Sequence, residues 1–206
     1  MKSQNARSLT VSALILAAGN SGRMGKLKAF LPFDNEWCFL ERIVREFFEF
    51  GVQKLAVVLN LAGMNAFEKL NFPQKSRVHA VLNAYPERER FYSLQTGLKA
   101  LPTDKPVFIH NVDNPFVQKA DLAKLIKLIR QNTYVVPTFK NKGGHPILIS
   151  PEIARDLVST DDYSQNLKYF LHQYTKTRVD VNNEKILINI NSPNDYERYF
   201  GIKAKN

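Results

Sequence analysis

The 206-residue sequence holds one cysteine, Cys38, and one tryptophan. A lone cysteine excludes an internal disulfide framework and a cysteine-rich zinc site. The four histidines, His79, His110, His145 and His172, are not spaced as a metal motif. No run approaches ~18 consecutive apolar residues, which excludes a helical membrane span. Acidic side chains are missing from two stretches: residues 1–33 and 122–151 each carry five basic residues and no acid. Elsewhere the two signs balance, 19 against 19, so these stretches account for the whole net charge of +10. Such a surplus admits nucleic acid, an anionic membrane surface, a small phosphorylated ligand or plain solvated surface. With 44% apolar and 23% charged residues, the composition is that of an ordinary globular protein and argues against intrinsic disorder. The basic start and the apolar run 11–18 mimic a signal peptide, but a Gly/Arg/Lys loop follows where a small-residue cleavage site belongs. The expectation is a cytoplasmic protein that begins with a buried strand.

What is present alternates between two periodicities. VSALILAA (11–18) reads as a strand buried on both faces, KLAVVLNL (54–61) and RVHAVLN (77–83) as a second and third buried strand, and PVFIHNVDN (106–114) as a strand that runs into a polar tip. FLERIVREFFEF (39–50), FYSLQTGLKAL (91–101) and ADLAKLIKLIR (120–130) carry apolar residues at helical spacing, and Gly51 suits the end of the first. TYVVPT (133–138) and HPILIS (145–150) predict short strands, IARDLV (153–158) and QNLKYFLHQ (165–173) predict helices, and RVDV with KILINI (178–181, 185–190) predicts a terminal strand pair. The alternation predicts an α/β fold, a three-layer α/β/α sandwich on a mostly parallel mixed sheet. No repeat, low-complexity tract or linker divides residues 1–206, so a single domain is expected. Ligands of such sheets bind outside the carboxyl ends of the strands, which directs attention to loops 19–36, 60–66, 83–92, 111–118 and 138–145.

The first of these loops is the most informative. Gly19, Gly22 and Gly25 are interleaved with Arg23, Lys26 and Lys28. Glycines let backbone N–H groups approach phosphate oxygens, and the cations add charge-assisted bonds. The spacing is neither that of a P-loop nor that of a dinucleotide fingerprint. The alternative, a plain strand–loop connection, leaves the gathering of three cations unaccounted for.

The segment LAAGNSGRMGKLKAFLP (16–32) resembles the signature of the molybdenum-cofactor-type, MobA-like nucleotidyltransferases, small cytidylyl- and guanylyltransferases. Three further segments fit in order: Val112-Asp113-Asn114-Pro115, Gly144-His145-Pro146 and Ile188 to Asp195. The resemblance spans residues 11–200 and implies a glycosyltransferase-A-like, nucleotide-diphospho-sugar-transferase-like fold. It implies that Leu16, Ala17, Ala18 and Gly19 lie beside base and ribose. Ser21, Gly22, Arg23 and Lys28 would then hold the triphosphate, with Met24 and Gly25 in the same nucleotide-binding loop and Lys28 and Arg23 neutralising charge as the new bond forms. Asp113 becomes the main Mg²⁺ ligand, the residue otherwise reading as a turn aspartate. Asn189 and Asn191 stand where relatives carry aspartate; on a strand they would share a face. Asn191 is taken as the second ligand, the alternative being an asparagine that only satisfies a turn.

Asn83 and the run from Arg90 to Leu98 resemble the nucleotide-facing Arg-x-x-Ser of methylerythritol-phosphate cytidylyltransferases, which adds Asn83 and Ser93 to the nucleotide site, though Ser93 also reads as a helix cap. The Gly-Met pair of the molybdenum-cofactor relatives is absent near Glu89-Arg90. Gly144 and His145 fall to the acceptor by resemblance. His110 reads as a packed strand histidine and Cys38 as a buried structural thiol.

The function implied is Mg²⁺-dependent transfer of a nucleotidyl group from an NTP, CTP favoured, to a phosphorylated small-molecule acceptor, without nucleic acid or membrane. Two alternatives stand beside it. One is a nucleotide-binding homologue with weak catalysis, suggested by Asn189 and Asn191. The other is a basic nucleic-acid-binding module, for which the sequence shows no interleaved basic and aromatic stripe.

Overall fold

A computed structural model describes residues 10–19, 22–85, 88–163 and 165–201. Its core is one mixed sheet of eight strands: β1 (Ser12–Leu16), β2 (Lys54–Leu59), β3 (Val78–Leu82), β4 (Val107–Asn111), β5 (Thr133–Phe139), β6 (Lys142–Gly143), β7 (Ile147–Ile149) and β8 (Thr175–Asp180). The path runs β3-β2-β1-β4-β7-β5-β6, with β8 also paired to β5. β1, β2, β3 and β4 are mutually parallel. β7 runs antiparallel to both β4 and β5, and β6 antiparallel to β5. β8 returns parallel to β5. Only β6 and β7 therefore oppose the common direction.

Helices cover both faces. α1 (Phe39–Phe50), α2 (Leu61–Lys69), α4 (Lys119–Ile126) and α7 (Pro193–Phe200) pack on one side; α3 (Glu89–Lys99), α5 (Pro151–Ser159) and α6 (Leu167–Phe170) pack on the other. β1 shows why. Ala13 and Ile15 enter the first core and Leu14 and Leu16 the second, as the period of two requires. A strand buried on both faces is almost wholly apolar, and in β1 only Ser12 departs from that.

α1 spans the residues its periodicity predicts. Glu41 accepts from the Cys38 backbone N–H at its start, and Gly51 closes it in the left-handed conformation at φ 108°. Two helices lie outside the sequence prediction. α2 begins where Asn60 caps Gly63 N–H, and α7 begins with a Ser192–Asp195 capping box. The predicted strand 185–190 is not one. Residues Glu184–Leu187 form a 3-10 turn capped by the Asn183 side chain. The backbone beyond it serves neighbouring loops: Ile186 C=O accepts from His145 N–H, and Ile190 N–H donates to Asp113 C=O at 2.7 Å. A ladder would need those same groups, so the alternating apolar pattern here reflects loop packing.

β2 lies on one side of β1 and β4 on the other. Successive connections therefore leave in opposite directions from β1, which opens a crevice at the carboxyl ends of β1 and β4.

Candidate functional site

That crevice holds a cavity of about 260 Å³. The end of β1 supplies Leu16 to Gly19, the following turn supplies Lys28, and the end of β4 supplies Asn111, Val112 and Asp113. α3 contributes Arg90 and Ser93, and the loop after β3 contributes Asn83. Predicted nucleotide residues Leu16, Ala17, Ala18, Gly19, Lys28, Asn83 and Ser93 thus meet at one wall, and predicted metal ligand Asp113 joins them. Three parallel strands end in, or run into, an asparagine that orders this rim. Asn60 after β2 donates to Ala18 C=O at 3.2 Å; Asn83 after β3 donates to Ser93 Oγ at 2.8 Å; Asn111 closes β4.

Lys28 and Asn191 come together although far apart in sequence. Lys28 Nζ donates to Asn191 Oδ1 at 2.7 Å. Asn191 is carried there by the Ile190–Asp113 backbone bond and fixed by its own N–H donating to Asp195 at 3.0 Å. Asn189 stays exposed, and the shared face expected of a strand pair does not arise, because the segment is not a strand.

Asp113 is half-buried; its Oδ1 is itself buried and makes no hydrogen bond to the described residues. Burial raises its pKa; the positive charges of Lys28 and Arg90 oppose that rise. A buried carboxylate oxygen left open between two cations, beside the Asn191 carbonyl oxygen, suits a magnesium ion that brings most of its ligands as water and phosphate. Among the described residues no group of three or more His, Cys, Asp and Glu forms a metal cage. The fit is to a metal shared with an anionic substrate.

The rest of the glycine loop divides. Ser21 lies outside the described residues, as does the side chain of Arg23. Gly22 and Gly25 border open space, and Gly25 takes φ +66°. Met24 is a correction: its side chain is buried in the core and does not line the cavity.

Gly144 and His145, assigned to the acceptor by resemblance, do not border this cavity. A Cβ on Gly144 would meet Ile186 C=O at 2.5 Å, so this glycine permits close packing of the 184–187 turn. His145 does not border the cavity. Its Nε2 lies 3.1 Å from Asn111 Nδ2, and burial with Arg90 nearby lowers its pKa to about 4. His110 is fully buried against Asn114 C=O at 2.7 Å, with its pKa lowered to about 3, chiefly by burial. Cys38 is buried with its thiol pushed up to about 12, which makes it inert as a nucleophile.

Two polar residues of the rim stood within motifs legible in the sequence but were given no role of their own there. Arg90 donates to Asn111 Oδ1, and its guanidinium turns inward although the residue is open to solvent along its length. Asn114, fully buried, donates to Lys185 C=O and Ile186 C=O at 3.2 and 2.9 Å and so binds the 184–187 turn to the end of β4. The motif Asp113-Asn114-Pro115 pointed at this loop, but only the fold shows what its middle residue holds.

Residues 13–178 match the family model of the MobA-like NTP transferase domain. The chain belongs to the MobA-like NTP transferase family. It is 24% identical over 196 residues to the molybdenum cofactor cytidylyltransferase of Escherichia coli, covering 93% of this chain and 98% of that protein. A probable molybdenum cofactor guanylyltransferase of Carboxydothermus hydrogenoformans is 25% identical over 209 residues, covering 95% and 97%. The structure of a nucleotidyl transferase from Methanothermobacter thermautotroptrophicus superposes with a TM-score of 0.76 at 23% identity, covering 92% of this chain and 95% of that one, and shows the same fold. This MobA-like chain is accordingly a nucleotidyltransferase, on a mixed-sheet α/β fold of the nucleotide-sugar-transferase-like kind.

Proposed function

We propose that the chain transfers a nucleotidyl group from an NTP to a phosphorylated small-molecule acceptor, with Mg²⁺, releasing pyrophosphate. One observation carries this reading. The Lys28 ammonium, the open Asp113 carboxylate oxygen and the Asn191 carbonyl oxygen converge at the switch point of the sheet. An acceptor phosphate oxygen would attack the α-phosphorus, the new P–O bond forming as the bond to the pyrophosphate oxygen breaks. The acceptor is already an anion near neutral pH, so positioning and charge neutralisation do the work and no strong base is required. That agrees with a site whose nearby histidines are held neutral and hydrogen-bonded away from the cavity.

Asp113 and Asn191 would hold the magnesium ion, which when bound supplies positive charge to the phosphate oxygens. Lys28 would sit on the α-phosphate oxygens and strengthen its contact as charge develops there. The end of β1, Asn83 and Ser93 would face the nucleoside. CTP is favoured because a cytidylyltransferase is among the relatives and because Arg90-x-x-Ser93 resembles the nucleotide-facing motif of methylerythritol-phosphate cytidylyltransferases. Half the positive surplus of the sequence lies in residues 1–33, where Lys28 and its loop would meet a triphosphate.

The test is pyrophosphate release from each of the four NTPs with Mg²⁺ across a panel of phosphorylated acceptors. Release with one pair and not with the dephosphorylated acceptor supports the reading. Absence of NTP binding at millimolar concentration, together with tight, steeply salt-dependent oligonucleotide binding, would replace it by a nucleic-acid role.

A further inference from the structure

Arg90, Asn111 and His145 form a chain whose directions follow from chemistry alone. Arginine has no acceptor, so the Asn111 atom facing Arg90 is its oxygen. The Asn111 nitrogen therefore faces His145 Nε2, which must accept, and the proton of the neutral ring sits on Nδ1. His145 is itself clamped: its backbone N–H donates to Ile186 C=O at 3.1 Å, and the preceding Gly144 N–H donates to Pro137 C=O at 2.8 Å. The other end of the chain is not clamped. Arg90 stands in the first turn of α3, and the single hydrogen bond that its guanidinium makes among the described residues is to Asn111.

Extending the nucleotide-transfer reading above, we propose that Arg90 contacts a phosphate oxygen of the bound nucleotide, and that Asn111 and His145 are positioning residues that aim its guanidinium there. A guanidinium carries five N–H donors, and a partner that is neutral and single leaves most of them unused. A carboxylate in place of Asn111 would orient Arg90 equally well but would also cancel its charge. The neutral amide orients the group and keeps the charge for a ligand. The balance of the cavity agrees. Lys28 and Arg90 contribute two positive charges and Asp113 one negative, so the described wall presents a net positive charge to whatever enters. Arginine is also the side chain whose fork matches phosphate oxygens in pairs. His145 thereby acts on substrate through two intermediaries and without touching it.

The test uses the full chain and calorimetric titration with CTP, ATP, GTP and UTP, each with Mg²⁺, alongside melting temperatures. For the nucleotide that the wild type binds, Arg90→Gln is expected to weaken binding about 10- to 10²-fold and Arg90→Lys to recover part of the loss. His145→Leu, which removes the acceptor, is expected to weaken binding about three- to tenfold, whereas His145→Gln, which offers Oε1 to Asn111, stays within about twofold of wild type. A purely structural role would instead lower the melting temperature of both His145 variants and leave the dissociation constants alike. Wild-type affinity in a folded Arg90→Gln, or equal affinities for the two His145 variants, overturns the proposal while leaving the nucleotide reading intact. Failure of the wild type to bind any of the four nucleotides overturns both.

Discussion

Lys28 Nζ lies 2.7 Å from Asn191 Oδ1, a contact that spans 163 positions of sequence and joins the first strand's loop to the start of the last helix. It places an ammonium and a carbonyl oxygen beside the open oxygen of Asp113. Lys28→Ala is expected to lower turnover about 10²- to 10³-fold, as loss of one preorganised charge contact in a transition state does. Its melting temperature should fall modestly as well, since Lys28 offsets the burial of the Asp113 carboxylate and donates to Asn191, so turnover is compared on the folded variant. Steady-state pyrophosphate release checks this, and near-normal turnover would remove Lys28 from the reaction.

Asn191 carries the second prediction. A carbonyl oxygen can ligate magnesium but adds no negative charge to it. Asn191→Asp should lower the Mg²⁺ concentration needed for half-maximal activity severalfold, and Asn191→Ala should raise it. Titration of activity against Mg²⁺ at saturating NTP decides the matter. If both variants keep the wild-type Mg²⁺ dependence, the residue serves only to seat Lys28.

Asp113 gives a pH dependence whose sign can be worked out. Burial raises its pKa above the unfolded value, so the folded state holds this proton more tightly. The associated stability is fully present below the unfolded pKa and is lost as pH rises through the folded pKa. At neutral pH the ionised carboxylate therefore costs the fold stability. Asp113→Asn should therefore melt higher than the wild type at pH 7 while losing activity. The difference in melting temperature should shrink as pH falls below the unfolded value near ~4. A variant that melts lower at pH 7 would show that Asp113 is held by Lys28 and Arg90 more strongly than burial opposes it.

Legibility in the sequence followed how locally each feature is determined. α1 was readable to the residue because its apolar face is long and Gly51 terminates it. α2 was not, since Leu61 is 66% exposed and its start is announced only by the Asn60 cap. KILINI imitates a strand because Ile186 and Ile190 are both buried, yet loop contacts bury them. The candidate site divides in the same way. The glycine loop, Asp113 and Asn191 carry motif signals in short windows, and the structure brings Lys28, Asp113 and Asn191 to one place. Arg90 stood in a recognised run without a task of its own, because the bond to Asn111 that orients it crosses from α3 to β4. His145 was placed at the acceptor by its motif, whereas its ring faces Asn111.

Gly97 supplies a prediction about how the site is supported. A Cβ at this position would fall 2.3 Å from Leu14 Cδ1 and 2.6 Å from Val58 Cγ2. Alanine would gain about 1 kcal/mol of helix propensity over glycine in an interior turn. Against this, Leu14 and Val58 are both 0% exposed, in β1 and β2, so either side chain can yield only by displacing its core neighbours. Overpacking of a filled core costs about 1–3 kcal/mol. The overlap should win, and Gly97→Ala should melt several degrees lower, at ~2–4 °C per kcal/mol for a chain of this size. The site should respond as well. α3 carries Arg90 and Ser93 over the ends of the strands on which Gly97 seats it. Lifting the helix moves those side chains away from Asn111 and Asn83, so NTP affinity should fall even in the fraction that remains folded. Melting curves with and without NTP, measured on the same preparation, separate the two effects. Unchanged affinity beside a lowered melting temperature would mean that the helix repacks without moving its amino end.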